Sequence, residues 1–193
     1  MGRFAIQRVM LTGLFVLLLC ACLSVLNVCL QGRRFRGAGT VRLFLSLGLL
    51  GAYAGGLYSL TLGGRVAGTE SKAKLELLWS YRESLVLFGE SPSVSNESLF
   101  TEIVLNMMLF APLGALLAFA WPKRFRGMRG VGLVAVAGAC VSLAIELSQW
   151  VFRLGLFELD DVLNNMLGAV GGYLVFSAMS TLLMQLRHRD DCL

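Results

Sequence analysis

Five long, predominantly apolar segments constrain this chain more than any other feature. They extend over Val9 to Leu30, Val41 to Leu62, Leu99 to Trp121, Val131 to Phe152 and Val162 to Leu186. A helix of about 20 apolar residues covers the roughly 30 Å of hydrocarbon in a bilayer, since each residue rises about 1.5 Å. Hydrocarbon offers no water to a peptide N–H or C=O, so every backbone group must be satisfied inside a helix or around a closed barrel. None of the runs alternates with a period of two, which excludes barrel strands. The expected fold is an all-α membrane protein, a bundle of about five transmembrane helices.

Composition agrees. Of 193 residues, 56% are hydrophobic and 15% are charged, and the mean hydropathy is +0.73. A soluble chain of this size must cover most of its surface with polar groups, and this one has too few. The formal charge of +5 does not indicate a nucleic-acid partner, because the 17 basic residues lie mostly between the apolar runs, where they set orientation. Cys20, Cys22 and Cys29 sit in the first run, Cys140 in the fourth and Cys192 at the end, which is neither a disulfide framework nor a zinc spacing. His188 stands between Arg187 and Arg189 as a charged flank. The sequence calls for no metal and no cofactor.

Arg3 and Arg8 before the first run, with Leu19-Cys20-Ala21-Cys22 inside it, faintly resemble a lipoprotein leader. The apolar residues continue to Leu30, longer than a leader requires, so an uncleaved first span is expected. With the N-terminus outside, the inner segments hold Arg33, Arg34, Arg36, Arg42, Lys123, Arg124, Arg126, Arg129, Arg187 and Arg189. The outer ones hold Arg3, Arg8, Arg65, Lys72, Lys74, Arg82 and Arg153, several of them diluted in a longer loop. The positive-inside rule therefore favours N-terminus out and C-terminus in. The chain divides into two N-terminal spans with a basic inner loop (1–65), an outer loop (66–98), a three-helix core (99–186) and a short inner tail (187–193). Within the outer loop, Leu77, Leu78, Tyr81, Leu85 and Phe88 recur at helical spacing opposite Glu76, Ser80 and Glu83. A short helix over about Leu75 to Phe88 is expected there, either lying in the interface or capping the bundle.

Polar residues inside spans are costly, about 2.5–3.5 kcal/mol for an ionised group at the centre, so they normally face a bundle interior or a wet cavity. Glu102 and Asn106 are one turn apart at the start of the third span. Glu146, Gln149 and Arg153 share a face at the end of the fourth, and Asp161 and Asn165 open the fifth, with Gly168 and Gly172 continuing that stripe. Antiparallel spans bring all of these to the same membrane face, whichever way the bundle is inserted. One reading makes them interhelical glue, with Glu146 paired to Arg153 and Asp161 capping the fifth helix. The other makes Asn106, Glu146, Gln149, Arg153, Asp161 and Asn165 the lining of a ligand pocket, with Glu146 and Asp161 as candidate catalytic carboxylates. Pro112, with Gly114 just after it, removes one backbone donor inside the third span.

Asn106, the stretch Phe110-Ala111-Pro112-Leu113-Gly114, the stretch Ile145-Glu146-Leu147-Ser148-Gln149, and then Glu158, Asp161, Asn165 and Gly168 together resemble the VanZ-like membrane proteins. The resemblance covers about Leu75 to Phe176. It departs from the family pattern at Met107 and Met108, and at Asn164, which leaves open which of two adjacent amides faces the pocket. The resemblance implies a bacterial envelope protein. It also implies an association with teicoplanin resistance, and Asn106, Glu146, Gln149, Asp161 and Asn165 as the polar signature. Smaller relatives look like four-span proteins with the N-terminus inside, so the additional first span here puts the N-terminus outside.

Three functions remain in competition. The first is binding of a membrane lipid or a lipid-linked envelope molecule at the outer leaflet, altering access of a glycopeptide antibiotic such as teicoplanin. The second is a membrane enzyme in which Glu146 and Asp161 act as acid and base, or as ligands of a divalent metal, on a lipid-linked or cell-wall substrate. The third is ion-coupled transport, for which five spans without an internal repeat would need oligomerisation. Gly48, Gly51, Gly55 and Gly56 in the second span would suit a homo-oligomer, or packing within one chain.

Overall fold

The computed structural model describes residues 2–32, 37–85 and 94–190. Arg33, Arg34, Arg36 and Cys192 lie outside the described residues, as do Val86, Leu87 and Phe88 at the end of the expected loop helix. The elements follow in the order α1 (Gly2–Gly32), α2 (Ala38–Thr61), β1 (Lys72–Lys74), α3 (Trp79–Leu85), α4 (Val94–Ala120), α5 (Gly127–Val151), β2 (Leu156–Glu158) and α6 (Leu159–Asp190). Stretches of α1, α2, α4, α5 and α6 are long and apolar enough to cross a membrane. The chain is a multi-pass, all-α membrane bundle.

The fourth helix is the centre of the bundle. Phe110, Leu113, Ala115, Leu116 and Phe119 on it are buried, together with Val16, Cys20 and Leu23 of α1 and Ala169, Tyr173 and Phe176 of α6. Lipid tails are as apolar as leucine, so helices in a membrane gain by close packing more than by leaving solvent. Small residues provide it here. A Cβ added to Gly168 would lie 2.0 Å from the Met107 carbonyl oxygen, one on Gly172 1.8 Å from that of Ala111, and one on Gly114 1.8 Å from that of Ala169. The Gly168 and Gly172 stripe expected from the sequence is thus the seam between α6 and α4, and Gly114 answers it from the other side. Phe119 and Phe176 close that seam edge to face at 6.5 Å.

The second helix is attached more loosely. Only Ser46 and Leu57 of it are buried, and the Tyr53 hydroxyl donates to the Leu109 carbonyl at 3.1 Å. Added Cβ atoms on Gly48, Gly51, Gly55 and Gly56 would meet nothing within 4 Å. These glycines therefore do not serve packing among the described residues of this chain. Phe15, Leu18, Phe44 and Leu47 are exposed, as expected of side chains solvated by lipid.

The loop between α2 and α4 is built by tertiary contacts that no periodicity announces. Strands β1 and β2 pair in parallel, with Lys72, Ala73 and Lys74 opposite Leu156, Phe157 and Glu158. The loop helix is present but begins only at Trp79, because Leu78 takes a left-handed conformation with φ 64° and stops the helix from reaching back to Leu75. Ser80 and Ser84 of α3 are buried against the protein, whereas Leu75 and Leu77, which precede the helix, are exposed.

Candidate functional site

Four spans meet at one membrane face. The end of α2, the start of α4, the end of α5 and the start of α6 enclose a cavity of about 180 Å³ lined by Arg65, Glu102, Asn106, Glu146, Gln149, Glu158, Asp161 and Asn165, with Thr61, Leu109, Ile145 and Leu156. Glu146 and Gln149 are buried on one side of α5. Glu146 Oε2 accepts the Glu158 backbone N–H at 3.1 Å. Gln149 Nε2 donates to the Thr61 carbonyl at 3.0 Å, satisfying a helix-terminal oxygen of α2 that has no partner within its own helix. Asn106 Nδ2 donates to Asp161 Oδ1 at 2.7 Å, and Asn165 Nδ2 donates to the Ser142 hydroxyl at 2.8 Å.

Five of the six residues expected in a pocket are therefore together. Arg153 is the exception. Helix α5 stops at Val151 and is followed by a Schellman turn, in which Leu154 N–H donates to the Gln149 carbonyl at 2.7 Å and Arg153 N–H to that of Trp150 at 3.3 Å. Arg153 carries the left-handed φ of 58° that this turn requires. The helical face linking it to Glu146 has ended by then, and its Nη1 donates outward to the Thr69 carbonyl at 3.4 Å. The expected Glu146 to Arg153 pair does not form.

The arginine in the cavity is Arg65, four residues beyond α2, whose Nη1 also donates to the Leu154 carbonyl at 3.3 Å. Arg65 and Glu102 were legible in principle, because the span count puts both on the same membrane face as Glu146. Glu102 is marked by standing one turn before Asn106, whereas nothing in the spacing marks Arg65.

The doubled residues at the head of α6 divide their work. Asp161 and Asn165 line the cavity. Asp160 and Asn164, rotated by about 100° on the same helix, are buried against the loop between α2 and α4. Asp160 accepts the Leu78 N–H at 2.5 Å, the Ser80 N–H at 2.9 Å and the Ser80 hydroxyl at 2.5 Å. The Tyr81 hydroxyl donates to Asn164 Oδ1. Asn165 is thus the cavity amide and Asn164 the anchor of α3. The two aspartates also sit in the first turn of α6, where the helix dipole favours negative charge.

Glu158 lies outside the spans, in β2. Burial first, then the negative charges of Asp161 and Glu102, push its carboxyl up to about 7, against the opposing effect of Lys74. Lys74 itself stacks over the Trp79 ring, 3.0 Å from its centroid. Among the described residues, no group of three or more His, Cys, Asp or Glu is arranged to hold a metal ion. The carboxylates stand around the cavity and do not converge on a point.

A second space adjoins the first. An apolar groove of about 390 Å³ runs between α1, α2 and α4, lined by Phe15, Val16, Leu49, Leu57, Leu60, Met108, Pro112 and Leu116 among others. Leu109 lines both the groove and the polar cavity, and Leu60 in the groove is followed in the chain by Thr61 in the cavity.

Fold and site together define a multi-pass helical membrane protein with an acidic cavity at one face. The chain belongs to the VanZ/LLP1 family, whose family model matches residues 15–183. The match reaches beyond the Leu75 to Phe176 stretch that carries the motif resemblance and takes in most of α1 and all of α2. No curated protein and no solved structure shows significant similarity to the chain.

Proposed function

We propose that this VanZ/LLP1 protein sits in a bacterial inner membrane, N-terminus outside and C-terminus inside. There it holds the polar head of a lipid or lipid-linked envelope molecule in the acidic cavity at the outer leaflet. Occupancy of that site lowers susceptibility to lipophilic glycopeptides such as teicoplanin. The observation that carries the binding reading is the junction at Leu109, where a hydrogen-bonding cavity opens beside an apolar groove. That pairing matches a molecule with a polar head and an apolar chain, and interhelical adhesion alone needs neither space. The family's association with teicoplanin supports the phenotype, and the surplus of Lys and Arg on the face opposite the cavity supports the orientation.

Lipid extraction of the purified protein followed by mass spectrometry tests the binding. Wild type is expected to retain a stoichiometric amphiphile, and Glu146→Gln or Asp161→Asn to lose it at equal membrane abundance. Teicoplanin susceptibility of a sensitive Gram-positive host, with each form expressed in turn, tests the phenotype. Variants as protective as wild type would overturn the role of the cavity.

A further inference from the structure

We infer that the cavity selects an amphiphile whose head carries a protonated amine beside further hydrogen-bond donors, and whose single apolar chain occupies the groove between α1, α2 and α4. This rests on the reading of the cavity as a head-group site and specifies the chemistry of the head. The first ground is charge. Glu102, Glu146, Glu158 and Asp161 line the cavity against one guanidinium, that of Arg65, which is already engaged with the Leu154 carbonyl. A phosphate head would meet four acidic side chains at close quarters, and those that are ionised repel it. An ammonium meets charge-assisted acceptors on several sides.

The second ground is an acceptor without a donor. Asn165 lines the cavity and is 6% exposed; its Nδ2 is used by Ser142, and its Oδ1 has no hydrogen-bond partner among the described residues. Buried acceptors in native proteins are normally satisfied, so this oxygen marks a place where an N–H or O–H of a bound molecule belongs. The third ground is spacing. The carboxylates surround the cavity without forming a cluster able to hold a metal ion, which suits a head with several donors more than a bare cation. The chain of such a molecule leaves the cavity past Leu109 into the groove.

The test uses the full-length protein in phosphatidylcholine nanodiscs and three probes of equal chain length: sphingosine, a long-chain 1,2-diol and a long-chain phosphate monoester. Native mass spectrometry reads the equilibrium binding of each. Sphingosine is expected to bind at least about ten-fold more tightly than the diol, a difference of about 1.4 kcal/mol, with the phosphate weakest. Glu146→Gln/Asp161→Asn, and separately Glu158→Gln should the double variant fail to fold, reduce that preference to less than about three-fold. Saturable binding that these variants weaken, but in which the diol or the phosphate matches sphingosine, overturns the amine and leaves the head-group site standing. No saturable binding of any probe, or binding that no variant affects, overturns both.

Discussion

Asp160 and Asp161 are adjacent in the chain and have unrelated partners. The carboxylate of Asp160 holds the backbone of Leu78 and Ser80 in the loop between α2 and α4, whereas that of Asp161 accepts Asn106 across the cavity. One helical step of about 100° separates an anchor from a site. Their substitutions should separate accordingly. Asp160→Ala strands two backbone N–H groups and a hydroxyl, and is expected to lower unfolding stability in detergent by about 2–5 kcal/mol. Asp161→Asn should cost less than about 1.5 kcal/mol and remove ligand retention. Thermal unfolding and lipid extraction on the same preparations check both.

The seam between α4 and α6 tolerates no side chain at its glycines, while the open face of α2 does. Gly168→Ala and Gly172→Ala place a methyl within 2.0 Å of a backbone oxygen and should destabilise by about 1–3 kcal/mol or block assembly of the bundle. Gly51→Ala meets nothing within 4 Å and should be neutral or slightly stabilising, since alanine favours the helix by up to about 1 kcal/mol. Comparison of melting temperatures in one detergent decides this.

The raised Glu158 carboxyl has a definite consequence for stability against pH. The folded state holds this proton more tightly than the unfolded chain does, with the midpoint moved from 4.5 to about 7. The contribution of Glu158 is therefore fully present below about pH 4.5, declines as pH rises from there to about 7, and is absent above. A pH series of melting temperatures should fall less steeply over that window in Glu158→Gln than in wild type. Parallel curves would show that Glu158 titrates normally.

Orientation is open to a direct check. A phosphatase fused after Arg189 should be inactive, and one inserted near Lys72 active, because that enzyme matures only outside the cytoplasm. The reverse pattern would place the acidic cavity at the inner leaflet.

Much of this protein is written in local chemistry. Five runs of apolar residues leave no alternative to five helices, because hydrocarbon forbids unsatisfied backbone. Counting alternating spans then brings Asn106, Glu146, Gln149, Asp161 and Asn165 to one face without any knowledge of packing. Gly168 and Gly172 likewise announce a close helix contact, although not its partner.

What had to await the three-dimensional structure is everything that depends on a chain leaving its periodic path. Arg153 drops out of the site because α5 ends at Val151, two positions before it, and Arg153 itself takes the left-handed conformation of the closing turn. Arg65 enters because a loop folds back over the cavity, and loops carry no period from which to read direction. Asn165 rather than Asn164 faces the cavity because Tyr81, more than 80 positions away, is held against α6 by Asp160. Helical periodicity reports which residues share a face; only packing decides what that face meets, since contact energies between distant segments leave no trace in local spacing.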